Sequence, residues 1–280
     1  MEIFRRTVYG AAIQTAQVLG IELPQLAHTT LNEALAINAS ATLGTNEIPR
    51  MKYITLGIGG HRGRIDSDGI TLIENIQHKA SDANHYRMLP LVVRPLNNDL
   101  TTAEMGKYAL RKIKAHAGVD YAMYHAMRFD TTGVQIKYKK KVVANGHATI
   151  SDFVPDSSVL TPVAPATSPG ANTVDGTYLY CVATVNIELD AFTVGEILNS
   201  ARILYGSERY AFISELGFVT GVDRTMQSQG SAGSFNMNEV INAQVFTHVS
   251  VMQPLYDQTG GVTLTYDVGI SEPIMAMTGP

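Results

Sequence analysis

Four apolar, β-branched runs in the second half of the chain constrain the fold most. They are "TYLYCVATVNIEL" (177–189), "RYAFISELGFVTGV" (209–222), "EVINAQVFTHVSVM" (239–252) and "GGVTLTYDVGI" (260–270). Each is short, mostly aromatic or β-branched, and bounded by turn residues, which is the pattern of a strand. One well-marked helix interrupts them, "AFTVGEILNSARILYG" (191–206), with Val194, Ile197, Leu198 and Ala201 on one stripe and Gly206 as its stop. Asp190 stands where it can cap that helix. Runs of neighbouring strands with so few helices between them predict an α+β fold with a mainly antiparallel β core.

The first half repeats the theme. "MKYITLGI" (51–58), "MLPLVVRPL" (88–96) and "GVDYAMYHAMRFD" (118–130) read as strands, the second pushed toward an edge by Pro90 and Pro95. "TTAEMGKYALRKIKAH" (101–116) reads as a helix from its Thr-x-Glu start, weakened by Gly106. "GVQIKYKKKVV" and "HATISDFVP" form a hairpin turning at Asn145-Gly146. Ahead of all strands, residues 1–20 and about 29–41 carry helical patterns, the second capped by Thr29 or Thr30 with Glu33 in its first turn. The expected organisation is an N-terminal helical arm over residues 1–45 and a single mixed domain over 46–280. That domain contains a long Pro/Ser/Thr-rich loop at 155–176 and a flexible tip at 227–238. The arm packs on its own domain or on a neighbouring subunit.

Charge narrows the function classes. Only 16% of residues are charged, and the net charge of −4 leaves no general basic footprint for nucleic acid. The one cysteine, Cys181, has no internal partner and lies in a strand pattern, so a buried, inert thiol is expected. No run approaches the roughly 18 apolar residues of a membrane helix. A low-charge surface rich in small residues suits a protein covered by copies of itself or by partners.

The stretch that most resembles chemistry is "LGIGGHRGRIDSDG" (56–69). A dinucleotide loop would need a third glycine where Arg62 stands, followed by a helix. A phosphate loop would need a Lys-Ser or Lys-Thr pair, and a calcium loop would need a carboxylate where Ile70 stands. The stretch therefore reads as a structural turn whose glycines let two backbones approach. His61, His78 and His85 fall close together with Asp82 nearby, but no two of the histidines have the i, i+4 spacing of a helical metal pair. His116, His125, His147 and His248 are scattered singly. Lys137, Lys139 and Lys141 share one face of a strand and read as guards of an exposed edge. Glu188 and Asp190 form no paired acid constellation, and no nucleophile elbow occurs. No catalytic, cofactor or metal residues are assigned.

Two blocks carry a resemblance. "GGHRG…IQHKASDANHYRMLPLVVRPLNNDLTTAEMGKYALRK" and "EILNSARILYGSERYAFISELGFVTGVDR" resemble structural proteins of tailed-bacteriophage particles. With the strands around them they cover most of residues 50–270. The resemblance brings no catalytic residues. It implies a virion component; the expected role is a ring-forming neck, connector or upper-tail subunit where head meets tail, assembled in the host cytoplasm. Its partners would be copies of itself and neighbouring virion proteins, without membrane or direct nucleic-acid contact. A baseplate or tail-wall position is the alternative within that class, a host-directed binding module the alternative outside it, and an enzyme comes third. The candidate subunit-interface residues are Arg5, Arg6, His61, Arg62 and Arg64, with a carboxylate of a neighbouring subunit expected opposite Arg62 and Arg64.

Overall fold

The computed structural model describes residues 3–65, 67–144, 147–161, 177–258 and 260–273. Strands prevail and the pairings are antiparallel, as the alternating runs require. In chain order the elements are β1 (Ile3–Arg6), α1 (Val8–Leu19), α2 (Leu31–Leu35), β2 (Arg50–Gly57), β3 (His61–Ile65), β4 (Thr71–Asn75), β5 (Met88–Leu89) and β6 (Val92–Pro95). Next come α3 (Thr102–Met105), β7 (Tyr108–His116), β8 (Val119–Arg128), β9 (Ile136–Ala144), β10 (His147–Asp152) and β11 (Thr177–Leu189). The last are α4 (Ala191–Tyr205), β12 (Phe212–Gly230), β13 (Gly233–Pro254) and β14 (Val262–Pro273).

Instead of the single domain expected over 46–280, the chain divides into two compact units. The first comprises residues 1–130 and 188–263, the second residues 131–187 and 264–280. The first is built on an eight-stranded sheet of order β1-β13-β12-β2-β8-β6, with β5 added to β2 and β7 to β8. Its core gathers Leu31, Tyr53, Leu110, Val219, Val240 and Val245, all fully buried. The second holds a sheet of order β10-β9-β11-β14, with Val182, Val185, Ile187 and Tyr266 buried. Two separate sheets, each with its own buried apolar residues, are the physical reason for the division.

The helical pattern over residues 1–20 is realised only from Val8 to Leu19, as α1. Residues 3–6 form an edge strand on β13, because extended residues there complete the sheet's hydrogen bonds. Thr7 then caps α1 by accepting from the Gly10 amide, and its hydroxyl donates to the Val245 carbonyl at 2.6 Å. Gly10 lies against β13 so closely that a Cβ there would stand 2.6 Å from the Phe246 carbonyl oxygen. α2 carries the expected Thr30–Glu33 capping box but spans one short turn, held by buried Asn32, which bonds the backbone of Ile37, Val240 and Ala243.

Three further expectations are corrected. The helix expected over 101–116 is only α3; its Thr101–Glu104 capping box is real, but from Tyr108 the chain is β7. Ala117 (φ +48°) and Gly118 (φ +80°) turn β7 into β8 as a two-residue hairpin, and that pairing overrides helical propensity. The flexible tip at 227–238 is instead the regular end of the β12–β13 ribbon, paired from Gln227↔Asn236 to Gly230↔Gly233. The lysine-bearing β9 is no edge, since β10 and β11 flank it; Lys139 pairs with Asp152 across the β9–β10 ladder. The Asn145-Gly146 turn and most of the 155–176 loop lie outside the described residues. No helix among the described residues is long and apolar enough to cross a membrane.

Candidate functional site

The glycine-rich stretch acts on its own chain. β2 ends at Gly57, and the amides of Gly59 and Gly60 turn inward toward β12. The Gly59 amide donates to Glu215 Oε2 at 2.8 Å, and the Gly60 amide donates to Ser214 Oγ at 2.9 Å. A Cβ at position 59 would lie 2.7 Å from the Arg87 nitrogen, and one at position 60 would lie 2.5 Å from Glu215 Cγ. Neither glycine has the positive φ that would demand it, so close approach is the reason for both. The cradle that might have held a phosphate holds a carboxylate of this chain.

Glu215 is the centre of a buried polar cluster. β12 carries it, β13 carries His248, and the segment between β4 and β5 brings His78, Asp82, His85 and Tyr86 over that face. The side chains of His78, His85 and Glu215 have no exposure, and His248 is 1% exposed. Gly217 makes the room, because it faces both Thr55 and His248 across its two ladders and a Cβ there would meet Thr55 Oγ1 at 2.5 Å.

The hydrogen bonds are directional. Glu215 Oε1 lies 2.8 Å from His78 Nε2, accepts from the Tyr86 amide at 2.7 Å, and stands 3.5 Å from His85 Nδ1. His78 Nδ1 lies 3.0 Å from Asp82 Oδ2, which also accepts from the Lys79 amide. His85 Nε2 is 2.8 Å from Thr55 Oγ1, and His248 Nε2 is 3.1 Å from the Asp82 carbonyl oxygen. The His78 ring is sandwiched between Tyr86 at 4.4 Å and His248 at 3.7 Å, both nearly parallel to it. Two ring nitrogens, Nδ1 of His85 and Nδ1 of His248, are buried without a hydrogen-bond partner.

Charge follows from this enclosure. Burial pushes the Glu215 carboxyl up, but the adjacent His78 and His85 rings and the Tyr86 amide outweigh it and hold the group well below the usual carboxylate range. Burial first, then the neighbouring His85 and His78, pushes His248 down to about 3, so its ring is neutral near pH 7. A carboxylate enclosed by three imidazoles can bind a cation or fix a loop, and the Thr55 hydroxyl stands 2.8 Å from His85 Nε2.

The residues expected at a subunit interface lie elsewhere. Arg5 and Arg6 are exposed on β1, and Arg6 Nη1 donates to Gln14. His61 opens β3 with its ring edge on Phe212. Arg62 and Arg64 meet Glu74 of the same hairpin at 3.3 and 3.2 Å, because the β3–β4 register sets Arg62 opposite Glu74. Cys181 is half-buried rather than enclosed. Sequence spacing did not reveal the cluster, since His248 and Glu215 come from strands far along the chain. The signal in the sequence was a charged residue inside the apolar "AFISELGFV" and a histidine inside "VFTHVSV".

Over residues 1–279 the chain matches the family described as "Family of unknown function (DUF7208)". No curated protein and no solved structure matches it.

Proposed function

The chain belongs to the DUF7208 family, and from that premise we propose that it is a structural subunit of a tailed-bacteriophage particle. It forms a symmetric ring of the neck, connector or upper tail and works by assembly rather than catalysis. The observation that carries this reading is the β3–β4 ribbon. It is a sheet of two strands only, and its described residues from Arg62 to Ile73 are exposed. One face carries Arg62, Arg64 and Glu74, with Leu72, 43% exposed, opposite Arg64. On the other, Ile73, 55% exposed, lies opposite Gly63, and Ile65, 71% exposed, lies opposite Thr71. A two-stranded ribbon in water is marginal alone and gains stability when its apolar face is covered. Copies of the chain would provide that cover, with Arg5, Arg6, His61, Arg62 and Arg64 at the contact rims.

The phage-like sequence blocks support the same reading. His78, Gly59 and Tyr86 come from the first block and Glu215 from the second, so the blocks meet in one buried network. The test is the mass of the purified chain by light scattering, with electron microscopy of the product. The expected species is a closed ring at a discrete multiple of the chain mass. Replacing Ile65→Lys together with Ile73→Lys should return it to monomer without loss of fold. A chain that stays monomeric at every concentration sinks the proposal.

A further inference from the structure

The ligating atoms of His78, His85 and His248 all lie within 4.8 Å of one another in a closed site. Proximity alone would be weak, but the hydrogen bonding around these rings is selective. In each histidine one nitrogen is fixed by an outer group: His78 Nδ1 by the Asp82 carboxylate, His85 Nε2 by the Thr55 hydroxyl, His248 Nε2 by the Asp82 carbonyl. That leaves His78 Nε2 toward Glu215 and Nδ1 of both His85 and His248 with no hydrogen-bond partner. Outer acceptors that set the ring orientation and tautomer of inward-facing imidazoles are the usual second layer of a metal site. Buried imidazole nitrogens usually find partners, yet here His248 Nδ1 has none and His85 Nδ1 has only the Glu215 carboxylate at 3.5 Å, so two inward-facing nitrogens of one cluster are left to a shared ligand.

We infer that His78, His85, His248 and Glu215 form a binding site for one divalent transition-metal ion, of which zinc is the simplest occupant. Three imidazole nitrogens and one carboxylate oxygen suit zinc or cobalt, whereas calcium and magnesium prefer oxygen ligands throughout. Nitrogens on a tetrahedral ion at about 2.0–2.1 Å stand about 3.3 Å apart, so loading draws the rings inward and parts the His78–His248 stack. Four ligands leave no open position, so this is a structural ion that ties the segment between β4 and β5 to β12 and β13. The inference goes beyond the proposed assembly role and does not depend on it.

The full-length chain, stripped with chelator, is titrated with Co²⁺ while its visible absorption is followed. The expected result is saturation at one ion per chain with the intense bands of four-coordinate cobalt, displaced by Zn²⁺. His85→Gln and His248→Gln should each weaken binding more than about 100-fold, and Asp82→Asn about 10–100-fold, the range for an outer partner. His61→Gln should bind like the parent. Should the ligand variants fail to fold, the parent labelled with ¹⁵N-histidine decides: one equivalent of Zn²⁺ should shift ring resonances of three of its eight histidines. No saturable uptake, equal uptake in both variants, or fewer than three shifted histidines would overturn the site.

Discussion

His125 on β8 shows how one buried side chain contributes to the pH response of the fold. It is buried, its Nδ1 lies 3.1 Å from the Leu110 carbonyl oxygen, and burial pushes it down to about 4. An unfolded histidine takes its proton near pH 6.5. Between these values the unfolded chain binds more protons, so stability is full above about pH 6.5 and falls as pH drops toward 4. The loss attributable to this ring is about 3 kcal/mol. Urea unfolding of the parent and of His125→Asn at pH 7, 5.5 and 4.5 checks it. The variant should start less stable and lose about 2 kcal/mol less over that range; parallel profiles would show that His125 is not the titrating group. The glycines around Glu215 make the complementary point, because each is dictated by the atom it must admit and none by a ligand.

α4 is the element whose sequence signals and structure agree most closely. Asp190 accepts from the Thr193 amide at 2.7 Å and from Lys107 Nζ at 2.9 Å, and Gly206 closes the helix in the left-handed conformation at φ +80°. Asp190→Ala should lower stability by about 1–2 kcal/mol, with Asp190→Asn losing less because it still caps. Thermal unfolding of the two variants compares them, and equal losses would place the effect in the Lys107 pair instead. Caps are legible because they depend on residues three apart, as the boxes at Thr30 and Thr101 also show. The conformation beyond a cap depends on distant pairing: Tyr108–His116 is a strand because β8 waits across a two-residue turn. The same limit applies to β1, which is extended only because β13 offers an edge. His78 and His248 each lie on readable segments, yet their contact depends on how β12, β13 and the segment between β4 and β5 come together. Local spacing carries no record of that.

At the scale of the molecule, the two units differ in what holds them. In the first, β12 and β13 run paired from Phe212↔Pro254 to Gly230↔Gly233 and bury Leu216, Phe218, Val219, Val245 and Val249. In the second, all of β10 is exposed, and on β9 Ile136 and Tyr138 are 66% and 58% exposed. Backbone hydrogen bonds backed by little buried apolar area open locally at low cost. Amides in 136–144 and 147–152 should therefore exchange hydrogen at least about 100-fold faster than those in 213–222 and 240–251, a difference of about 2.7 kcal/mol in opening free energy. Heating should unfold the second unit first, giving two calorimetric transitions in place of one. Deletion of residues 131–187 is the weaker test, since it also removes most of β11, whose last residues, Glu188 and Leu189, belong to the first unit. Hydrogen exchange on the intact chain avoids that. Equal protection of the two regions, with a single transition whose calorimetric and van't Hoff enthalpies agree, would mean that the units unfold as one and that separate sheets do not imply separate stability here.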